Sequence, residues 1–535
     1  MLRGAGENRQ KLADTPDGKP SNRPWLRIFG IGSVMGVILL VGALMGLDHW
    51  IRTAPVPELS PEVSTTVLDR HGKLLRAYQV ADGRWRLPVT EAEVDRGYVA
   101  QLLAYEDRRF YRHAGIDPLA LLRAAWQAII HGRPVSGAST ITMQVARLLS
   151  EHPTDRIGTK LAQIRLALAL ERQLEKAEIL QLYLTLAPFG SNIEGVRAAS
   201  LSWFGKEPRR LTPAESALLV ALPQSPEARR PDRHREAARA ARDRVLARAA
   251  RHQVLARDEA EAARAEPVPT ARRDFPALAP HLADRIVTTR KQATTHQVTI
   301  DAGLQKSLET LLADRAARLP KGVSAALIVA DHRTGEIIAH LGSAGFTDGT
   351  RSGWIDMTTA IRSPGSALKP LIYGLAFELG LAHPETLIED RPVRFGNWTP
   401  ANFGDGYFGT VSLREALQFS LNVPAVALLD AVGPAQMMAR MRRAGAPGVL
   451  PKGAVPGLAI GLGGIGMSLR DLVQLYAAIA RGGEAVTLRT DPEGVAETGG
   501  RVLQPGAAWQ VADILAGAPA PVAAPNRQLA FKTGT

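Results

Sequence analysis

A run of 20 uncharged residues from Ile28 to Leu47 constrains this chain more than any other feature. A helix of that length crosses the hydrocarbon core of a bilayer. Six basic residues precede the run and only Arg52 follows it closely, so the positive-inside rule puts the N-terminus in the cytoplasm. The sequence therefore predicts a cytoplasmic tail over 1–24, an uncleaved signal anchor over 25–48, and export of the remainder. A cleaved signal peptide is the alternative, but the run is longer than a typical signal-peptide core.

The composition is that of a folded protein with more than one domain. At 535 residues, the chain is too long for one ordinary hydrophobic core. It contains no cysteine, which excludes disulfides, thiolate metal sites and a cysteine nucleophile. Its 12 histidines include no closely spaced pair, so we predict no metal site. The net charge of +13 favours anionic partners such as phosphates or acidic lipids, and export argues against nucleic acid.

The region after the membrane helix is predicted to begin with strands and to continue as helices. Residues 64–90 contain β-branched residues and a turn at His71-Gly72, a pattern that favours strands. From Tyr98 to about Leu255, alanine, leucine and arginine recur at helical spacing. The stretch Glu236–Glu266 is almost all Ala, Arg and Glu, and we interpret it as a solvated helix that links two domains.

A second folded region is predicted to begin after the proline-rich stretch Pro267–Pro280. Beyond about Val298, two apolar runs flank Asp331–Gly335, which indicates a hairpin with glycine in its turn. Helical patterns follow around Leu368–Leu379 and Ala425–Val432. This region is therefore predicted to be mixed α and β.

Three short motifs occur in a fixed order in the second region. They are SxxK at Ser366–Lys369, SxN at Ser420–Asn422 and KTGT at Lys532–Thr535, which begin 54 and 112 residues apart. Together they are typical of an active-site serine acyltransferase. SxxK at the start of a helix puts serine and lysine on one face, where the lysine accepts the serine proton if its pKa is held down. KTGT is predicted to form a strand edge, with glycine letting a substrate backbone lie close.

On these motifs, the chain from about Val298 to its end resembles the penicillin-binding transpeptidase family. The resemblance implies that Ser366 is the acylated nucleophile and that Lys369 is its general base. It also implies that Ser420 relays protons and that Asn422 holds the substrate amide. β-Lactams would acylate the same serine. The residues implied to bind the terminal carboxylate of the stem peptide are Lys532, Thr533 and Thr535.

Members of that family continue past the KTGT strand with two further strands and a long helix, whereas this chain ends at Thr535. We therefore expect a split sheet and little or no transpeptidase activity from the chain as written. A fragmentary record of a longer protein is the alternative. A GxGxxG match at Gly461–Gly466 lacks a surrounding βαβ unit, so we interpret it as a turn beside the serine site rather than a dinucleotide site.

The helical region contains a second group of polar motifs. Glu106 opens the sequence EDRRFYRHAG, and GASTITMQ and a lysine-containing helix follow it. A carboxylic acid followed by hydroxyl-bearing residues and a cluster of Arg and Lys is a pattern that fits glycosyl transfer. In that reaction, a hydroxyl group attacks a sugar that carries a diphosphate leaving group. The acid takes a proton from the incoming hydroxyl, and the cations stabilise the leaving group. On the residues alone, ordinary surface ion pairs are the alternative.

These motifs make residues 60–250 resemble the peptidoglycan glycosyltransferases, the lysozyme-like helical domain of class A penicillin-binding proteins. Met143 before Gln144, with the Val-Ala-Arg-Leu-Leu that follows, points to the 1C branch of that family. The resemblance implies that Glu106 is the general base that activates the acceptor 4-hydroxyl of lipid II, which extends β-1,4 glycan strands with inversion. The substrate-binding residues it implies are Ser139, Thr140, Gln144, Arg147 and Lys160.

Two positions depart from the family pattern. Many members have arginine before the lysine and glutamate three residues after it, where this chain has Thr159 and Gln163. A second catalytic carboxylate, or a divalent metal held by one, is therefore not supported. We interpret Glu171, further along the same helix, as structural. The apolar stretch Leu119–Ile130, which includes Trp126, is predicted either to enter the membrane surface or to be a core helix.

We therefore predict an anchored protein with a mostly α glycosyltransferase domain over 60–250, a linker over 251–295, and an incomplete α/β transpeptidase domain over 296–535. The expected function is peptidoglycan synthesis by a single-pass protein of the inner membrane, with periplasmic catalytic domains and no required cofactor. The expected partners are lipid II, nascent glycan strands, β-lactams and other cell-wall synthesis proteins. The alternative is a penicillin-binding receptor or scaffold with degenerate sites. A soluble carboxypeptidase or β-lactamase is disfavoured by the anchor and the helical first half.

Overall fold

The computed structural model describes residues 24–131, 139–150, 157–404, 406–495, 497–520 and 529–535. The chain divides into two compact units. The first contains the chain up to residue 61 together with 102–183, and the second contains 62–101 together with 184–535. Almost all of the predicted cytoplasmic tail lies outside the described residues.

The first unit is made of helices. The second of them begins, and the last of them ends, in residues that belong to the second unit. The helices are α1 (Pro24–Arg52), α2 (Arg96–Glu106), α3 (Pro118–His131), α4 (Ile141–Ser150), α5 (Ile157–Gln173) and α6 (Lys176–Leu186). Among the described helices, α1 is the one long and apolar enough to cross a membrane, over Met35–Arg52. Its last turn is held by α5, because Arg165 Nε donates to the Trp50 carbonyl at 2.7 Å. An ion pair of 2.7 Å also joins Arg172 to Asp48.

The apolar face of α3 is exposed. Trp126 is 65% exposed and Ile129 is 76% exposed, whereas a core helix would bury both side chains. Other exposed apolar side chains on this helix are Leu119, Leu122 and Ile130. The core-helix interpretation of this stretch is therefore wrong, and the face is of the kind that marks an interaction surface.

The second unit opens with a three-stranded mixed sheet and a separate two-stranded parallel sheet. The strands of the two sheets are β1 (Thr66–Leu68), β2 (Leu74–Ala77), β3 (Trp85–Arg86), β4 (Ile193–Glu194) and β5 (Thr295–Gln297). β1 pairs antiparallel with β2 and parallel with β5, while β3 pairs parallel with β4. Gly72 adopts φ +79° in the turn between β1 and β2, a conformation that glycine tolerates best. The strands and the turn predicted here are confirmed.

Helices follow, and one of them corrects the interpretation of the Ala-, Arg- and Glu-rich stretch as a solvated helix. They are α7 (Val196–Phe204), α8 (Pro213–Ala221), α9 (Arg235–Arg251), α10 (Arg257–Ala265), α11 (Pro280–Thr289) and α12 (Ala302–Ala316). α9 packs against α8 and buries Ala238, Ala241 and Val245, so the prediction of a solvated helix was wrong. Alanines at three- and four-residue spacing form a narrow apolar face on the helix. The many charged residues between them make the stretch look polar throughout in the sequence. Arg242 is also buried on α9, and its guanidinium donates to the Glu266 carbonyl at 2.6 Å.

The remainder of the second unit is mixed α and β, as predicted. Its strands are β6 (Leu327–Ala330), β7 (Ile337–Leu341), β8 (Leu387–Asp390), β9 (Gly409–Ser412), β10 (Glu484–Val486) and β11 (Thr498–Arg501). Its helices are α13 (Lys369–Glu378), α14 (Leu413–Gln418), α15 (Asn422–Val432), α16 (Pro434–Arg443), α17 (Leu469–Ala480) and α18 (Pro505–Ala516). β6 and β7 form the predicted antiparallel hairpin, with Gly335 at φ +74° in its turn.

The core of this part is centred on α13. The helix is buried from Lys369 to Phe377 and packs against α15 and α18. Leu371, Ile372 and Leu375 are fully or almost fully buried there. Because Lys369 is the first residue of a core helix, its charged group is placed where water is largely excluded.

The KTGT segment does not form the strand that the sequence predicts. Residues 529–535 have neither helix nor strand structure. A strand requires a hydrogen-bonded partner, and in the described part of the chain no strand pairs with this segment. The segment is instead held by side-chain and close backbone contacts around Ser366.

Candidate functional site

Glu106 is the last residue of α2 and faces α4. Gln144, one turn into α4, donates from Nε2 to Glu106 Oε2 at 2.9 Å. Both side chains are partly buried, so the carboxylate is held in one orientation yet is accessible. The structure thus brings together two of the site residues predicted in the helical region.

Asp107, the next residue, connects α2 to the start of α4. Its carboxylate accepts a hydrogen bond from the Ile141 amide at 3.0 Å, which satisfies one of the free N–H groups of that helix. Both of its oxygens lie 3.0 Å from His113 Nε2, and both side chains are almost fully buried. Sequence analysis quoted both residues within a motif but gave them no role. The contacts fix where α4 begins, and hence where Gln144 meets Glu106.

The other predicted residues of this region have different environments. Thr140 is buried, and its hydroxyl donates to the Gly115 carbonyl at 2.6 Å and accepts from the Met143 amide at 3.1 Å. Thr140 is therefore occupied in capping α4. Ser139 is exposed, Arg147 is partly buried on α4, and Lys160 is exposed in the first turn of α5.

Glu171 links α4 to α5, in keeping with its structural interpretation. Its Oε1 accepts from the Thr142 hydroxyl at 2.5 Å and from Lys176 Nζ at 2.6 Å. Its side chain is only 8% exposed, so these contacts compensate a buried carboxylate. The ammonium of Lys176 also lies 4.5 Å from the ring centroid of Phe110.

Thr159 and Gln163 line a mostly apolar cavity of about 520 Å³. Its other walls are the chain that leaves α1, over 54–57, and the C-terminal end of α4 at Leu149. Neither position supplies a carboxylate. Among the described residues, no group of three or more His, Cys, Asp and Glu side chains is arranged to hold a metal ion.

Ser366 lies in a 3-10 turn, Gly365–Leu368, that leads directly into α13. Lys369 begins that helix, three residues further on. The serine is partly exposed while the lysine is fully buried. The predicted position of SxxK at a helix start is therefore confirmed.

The ammonium of Lys369 is surrounded by oxygen acceptors of the SxN motif. Its Nζ lies 2.6 Å from the Ser420 carbonyl oxygen, 2.6 Å from Asn422 Oδ1 and 3.4 Å from Ser420 Oγ. Burial, and then the positive charge of Lys532, lower the pKa of Lys369 to about 7. At neutral pH a large fraction of this lysine is therefore an uncharged amine that can accept a proton.

Lys532 is a second amine that contacts the Ser420 hydroxyl. Its Nζ donates to Ser420 Oγ at 2.7 Å and to the Thr533 carbonyl at 2.7 Å. Burial lowers the pKa of Lys532 to about 8. Ser420 adopts φ +59°, a strained conformation for a residue with a side chain, which places its hydroxyl between two amines.

The KTGT segment touches the Ser366 turn through its backbone. A Cβ atom on Gly365 would lie 2.1 Å from the Thr535 carbonyl oxygen, and one on Gly534 would lie 2.9 Å from the Pro364 carbonyl oxygen. Both positions therefore require glycine. The hydroxyl-bearing residues Thr533 and Thr535 are exposed beside this contact.

The GxGxxG segment forms a turn next to the same site, as predicted. Gly463 adopts φ +92°, and its carbonyl accepts from the Ser363 hydroxyl at 2.8 Å. A Cβ atom there would lie 2.6 Å from the Gly365 amide nitrogen. The glycine supports the serine turn by close packing.

Comparison with known proteins assigns both regions. Residues 71–250 match the family described as "Transglycosylase", and residues 325–535 match the "Penicillin binding protein transpeptidase domain". The chain is 44% identical to "Penicillin-binding protein 1C" of Escherichia coli (strain K12) over 502 residues, which are 93% of this chain and 64% of that protein. The chain belongs to the class A penicillin-binding proteins. This class A penicillin-binding protein thus spans less than two thirds of the length of that relative.

Two further comparisons accompany these matches. The chain is 27% identical to "Penicillin-binding protein 1F" of Bacillus subtilis (strain 168), over 89% of this chain and 69% of that protein. The crystal structure of penicillin-binding protein 1A from Haemophilus influenzae aligns with a TM-score of 0.45 and 15% identity, covering 86% of this chain and 80% of that one. The matches of both regions to the family models, together with the 44% identity to penicillin-binding protein 1C, confirm the predicted family and its 1C resemblance.

In this class A penicillin-binding protein, sequence analysis missed the residues that support the motifs. Tyr476 lies on α17, and its hydroxyl donates to the Ala367 carbonyl inside the serine turn at 2.9 Å. Tyr373 is fully buried on α13, one turn after Lys369. Neither tyrosine belongs to a motif, and no spacing rule marks either of them. Their contribution depends on tertiary contacts that a single sequence does not display.

Proposed function

We propose that this protein is a bifunctional peptidoglycan synthase. It polymerises lipid II into β-1,4 glycan strands and cross-links stem peptides through an acyl-Ser366 intermediate. The observation that carries the proposal is the convergence of three separate motifs on one hydroxyl, since Lys369 and Lys532 both contact Ser420 Oγ. Polymerisation of labelled lipid II by the full chain tests the first activity. Intact mass after exposure to penicillin, with the adduct mapped to Ser366, tests the second.

For polymerisation, Glu106 is the general base. Its carboxylate takes the proton from the acceptor 4-hydroxyl as that oxygen attacks the donor anomeric carbon. The bond from that carbon to the diphosphate breaks, and the anomeric centre is inverted. Gln144 orients the carboxylate at 2.9 Å. The remaining groups assigned to bind sugars and diphosphate are Ser139, Arg147 and Lys160. Thr140, whose buried hydroxyl caps α4, positions that helix instead.

This chemistry needs no cofactor, because the diphosphate carries its negative charge away and cationic side chains can stabilise it. A divalent ion would then increase the rate without being required for it. Polymerisation rates measured with and without excess EDTA distinguish a metal-independent reaction from one that requires a metal ion. An EDTA-abolished rate that Mg²⁺ restores would contradict the cofactor-free proposal.

For cross-linking, Lys369 takes the proton from Ser366 Oγ as that oxygen attacks the carbonyl carbon of the penultimate D-Ala. Ser420 passes a proton to the departing nitrogen of the terminal D-Ala. The acceptor amine of a second stem peptide then displaces the serine. Asn422 holds the substrate amide, and the groups that hold the terminal carboxylate are Lys532, Thr533 and Thr535. A β-lactam acylates Ser366 in the same way.

We expect acylation of Ser366 by penicillin to follow a narrow bell-shaped pH profile. The rate rises as Lys369 loses its proton near its pKa of about 7. It falls as Lys532 loses its proton near its pKa of about 8, because the carboxylate of the drug then loses its cationic partner. Stopped-flow or quenched labelling between pH 5 and about 10 measures the profile. A rate that climbs without a plateau toward pH 10 would show that Lys369 has an ordinary pKa.

We propose that the exposed apolar face of α3 inserts into the membrane beside α1. It brings the glycosyltransferase site to the lipid-linked substrate. Replacing Trp126 and Ile129 together with serine should raise the KM for lipid II several-fold in liposomes. The melting temperature should stay unchanged, because the two side chains are largely exposed. Leu311→Ser, at an exposed leucine on α12, is the matched control, and equal effects from both changes would contradict the proposal.

We propose further that the N-terminus is cytoplasmic and that both catalytic regions are periplasmic. The basic residues before the membrane helix support this orientation. The chain has no cysteine, so single-cysteine variants report position without background. A membrane-impermeant maleimide should label Lys321→Cys but not Asn8→Cys in intact spheroplasts. The opposite labelling pattern would refute the orientation.

A receptor or scaffold role is the second candidate, and one observation favours it. Thr159 and Gln163 line a mostly apolar cavity, and many members of the family have arginine and glutamate at these two positions. A chain that binds penicillin but makes no glycan from lipid II would support that role. Other cell-wall synthesis proteins are the expected partners in either case, and nucleic acid is not. Co-purification from native membranes tests the partner proposal.

A further inference from the structure

A buried chain of hydrogen bonds runs from the end of β8 to the SxN motif. The Asp390 carboxylate accepts from Asn402 Nδ2, at 2.9 Å and 2.8 Å to its two oxygens. Asn402 Oδ1 in turn accepts from the backbone N–H of Asn422 at 2.7 Å. Asn422 is the residue whose Oδ1 accepts from Lys369 Nζ at 2.6 Å. Three side chains, distant in sequence, therefore connect a strand end to the proposed general base.

Each link in this chain leaves one orientation for the next. The amide group of Asn402 is fixed by the two oxygens of Asp390, so its own oxygen faces Asn422. Asn422 Nδ2 donates to the Ala401 carbonyl at 2.6 Å, which turns Asn422 Oδ1 toward Lys369. Reversing Asn402 would set its Oδ1 against the Asp390 carboxylate and its Nδ2 against the Asn422 backbone N–H. Reversing the Asn422 side chain would set its Oδ1 against the Ala401 carbonyl.

Asp390 is costly for the fold in its present form. It is fully buried, and within the described residues its hydrogen-bond donors are two neutral groups, the side-chain amide of Asn402 and the backbone N–H of Phe408 at 2.8 Å. Burying a carboxylate without a cation is unfavourable. An apolar residue at the end of a four-residue strand would avoid that cost, so the carboxylate needs a role other than stability.

We propose that Asp390 and Asn402 are positioning residues for acylation of Ser366: they fix the backbone at Ala401–Asn402 and at Asn422, so that the Ala401 carbonyl holds Asn422 Nδ2 and the side-chain oxygen of Asn422, not its nitrogen, faces Lys369. The proposal rests on the transpeptidase part of the proposed function. Neither residue touches the reacting atoms. Their effect reaches the serine through Asn422 and Lys369.

The test uses the full chain and measures the second-order rate of acylation by a fluorescent penicillin. Asp390→Asn and Asn402→Asp should each slow acylation by about 10- to 100-fold, since small misplacements of catalytic groups have effects of this size. The double exchange restores a donor–acceptor pair, because the new amide at position 390 donates to the new carboxylate at 402. It should recover part of the loss, because the Gly406 carbonyl, which accepts from Asn402 Nδ2 at 3.0 Å, still lacks a donor in the double variant. Glu389→Gln, at the exposed neighbour on β8, should acylate at the wild-type rate.

The pH dependence of acylation in Asp390→Asn distinguishes a positioning role for Asp390 from a general loosening of the core. The charged group that acts on Lys369 is Lys532, which is unchanged in the variant. Losing the Asn422 oxygen as acceptor disfavours the ammonium form of Lys369, so the rising limb should move to lower pH. A core that merely loosens admits water, and the rising limb would move to higher pH.

The outcomes are distinct. Acylation at the wild-type rate in both single variants would overturn the proposal, as would an alkaline shift or a double exchange that recovers nothing. If Asp390→Asn does not fold, Asn402→Asp and the double exchange carry the test, with melting temperatures as the check. A wild-type chain that no penicillin acylates would instead refute the transpeptidase function, and the positioning role with it.

Discussion

Replacing Glu106 with glutamine is expected to lower the polymerisation rate by about 10²- to 10⁴-fold, the usual contribution of a general base. The amide has nearly the shape of the carboxylate but cannot accept the proton of the acceptor hydroxyl. Gln144 Nε2 can still donate to the amide oxygen at this position, so the contact between α2 and α4 is retained. Gel analysis of glycan strands made from labelled lipid II measures the effect, and thermal unfolding measures stability.

The matched control is Glu175→Gln, at an exposed glutamate between α5 and α6 in the same compact unit. It should polymerise lipid II at the wild-type rate. Glycan strands of normal yield from Glu106→Gln would refute the role of this residue. Loss of activity in both variants would point to a general effect of charge rather than to a base.

The second large effect is expected for Lys369→Gln. This change should slow penicillin acylation by about 10³-fold or more, because the amide cannot take the proton of Ser366. Glutamine is neutral and keeps one donor for the acceptors that Lys369 now serves, so no uncompensated charge is buried. The measurement is the rate at which a fluorescent penicillin becomes covalently bound, with Ser366→Ala as the zero-rate reference.

Lys452→Gln removes an exposed lysine from the same compact unit and should leave acylation unchanged. If Lys369→Gln were acylated as fast as wild type, another group would have to be the base. Because Ser420 Oγ also contacts Lys532 at 2.7 Å, that lysine would then be the first candidate.

The motifs were predictable from sequence because each combines a fixed spacing with a local conformation. SxxK needs only a helix start, and the structure supplies it at Gly365–Leu368. The β6–β7 hairpin follows from a glycine between two apolar runs, and the turn at Gly72 follows from a glycine within a β-branched stretch. Interactions between residues close in sequence determine these features, so the sequence alone predicted them correctly.

The features that sequence analysis missed depend on contacts between distant parts of the chain. The alanine face of α9 is visible only once α8 is there to cover it. The KTGT segment has the composition of a strand, but a strand is a property of a pair of segments. Asp390 and Asn402 lie in no motif, and their link to Asn422 arises only when β8 and its following loop fold beside α15. Where the structure of a segment depends on a distant segment of the same chain, a single sequence does not reveal that contact.

The two amines that flank Ser420 give the site an order of events. While the site is empty, the charge of Lys532 adds to burial in depressing the proton affinity of Lys369. In the proposed acylation, a carboxylate that arrives beside Lys532 would offset that field and raise the pKa of Lys369. The lysine would then be an amine before the substrate docks and would hold the proton of Ser366 more firmly afterwards. Docking of an anionic acyl donor would thus favour proton transfer from the serine.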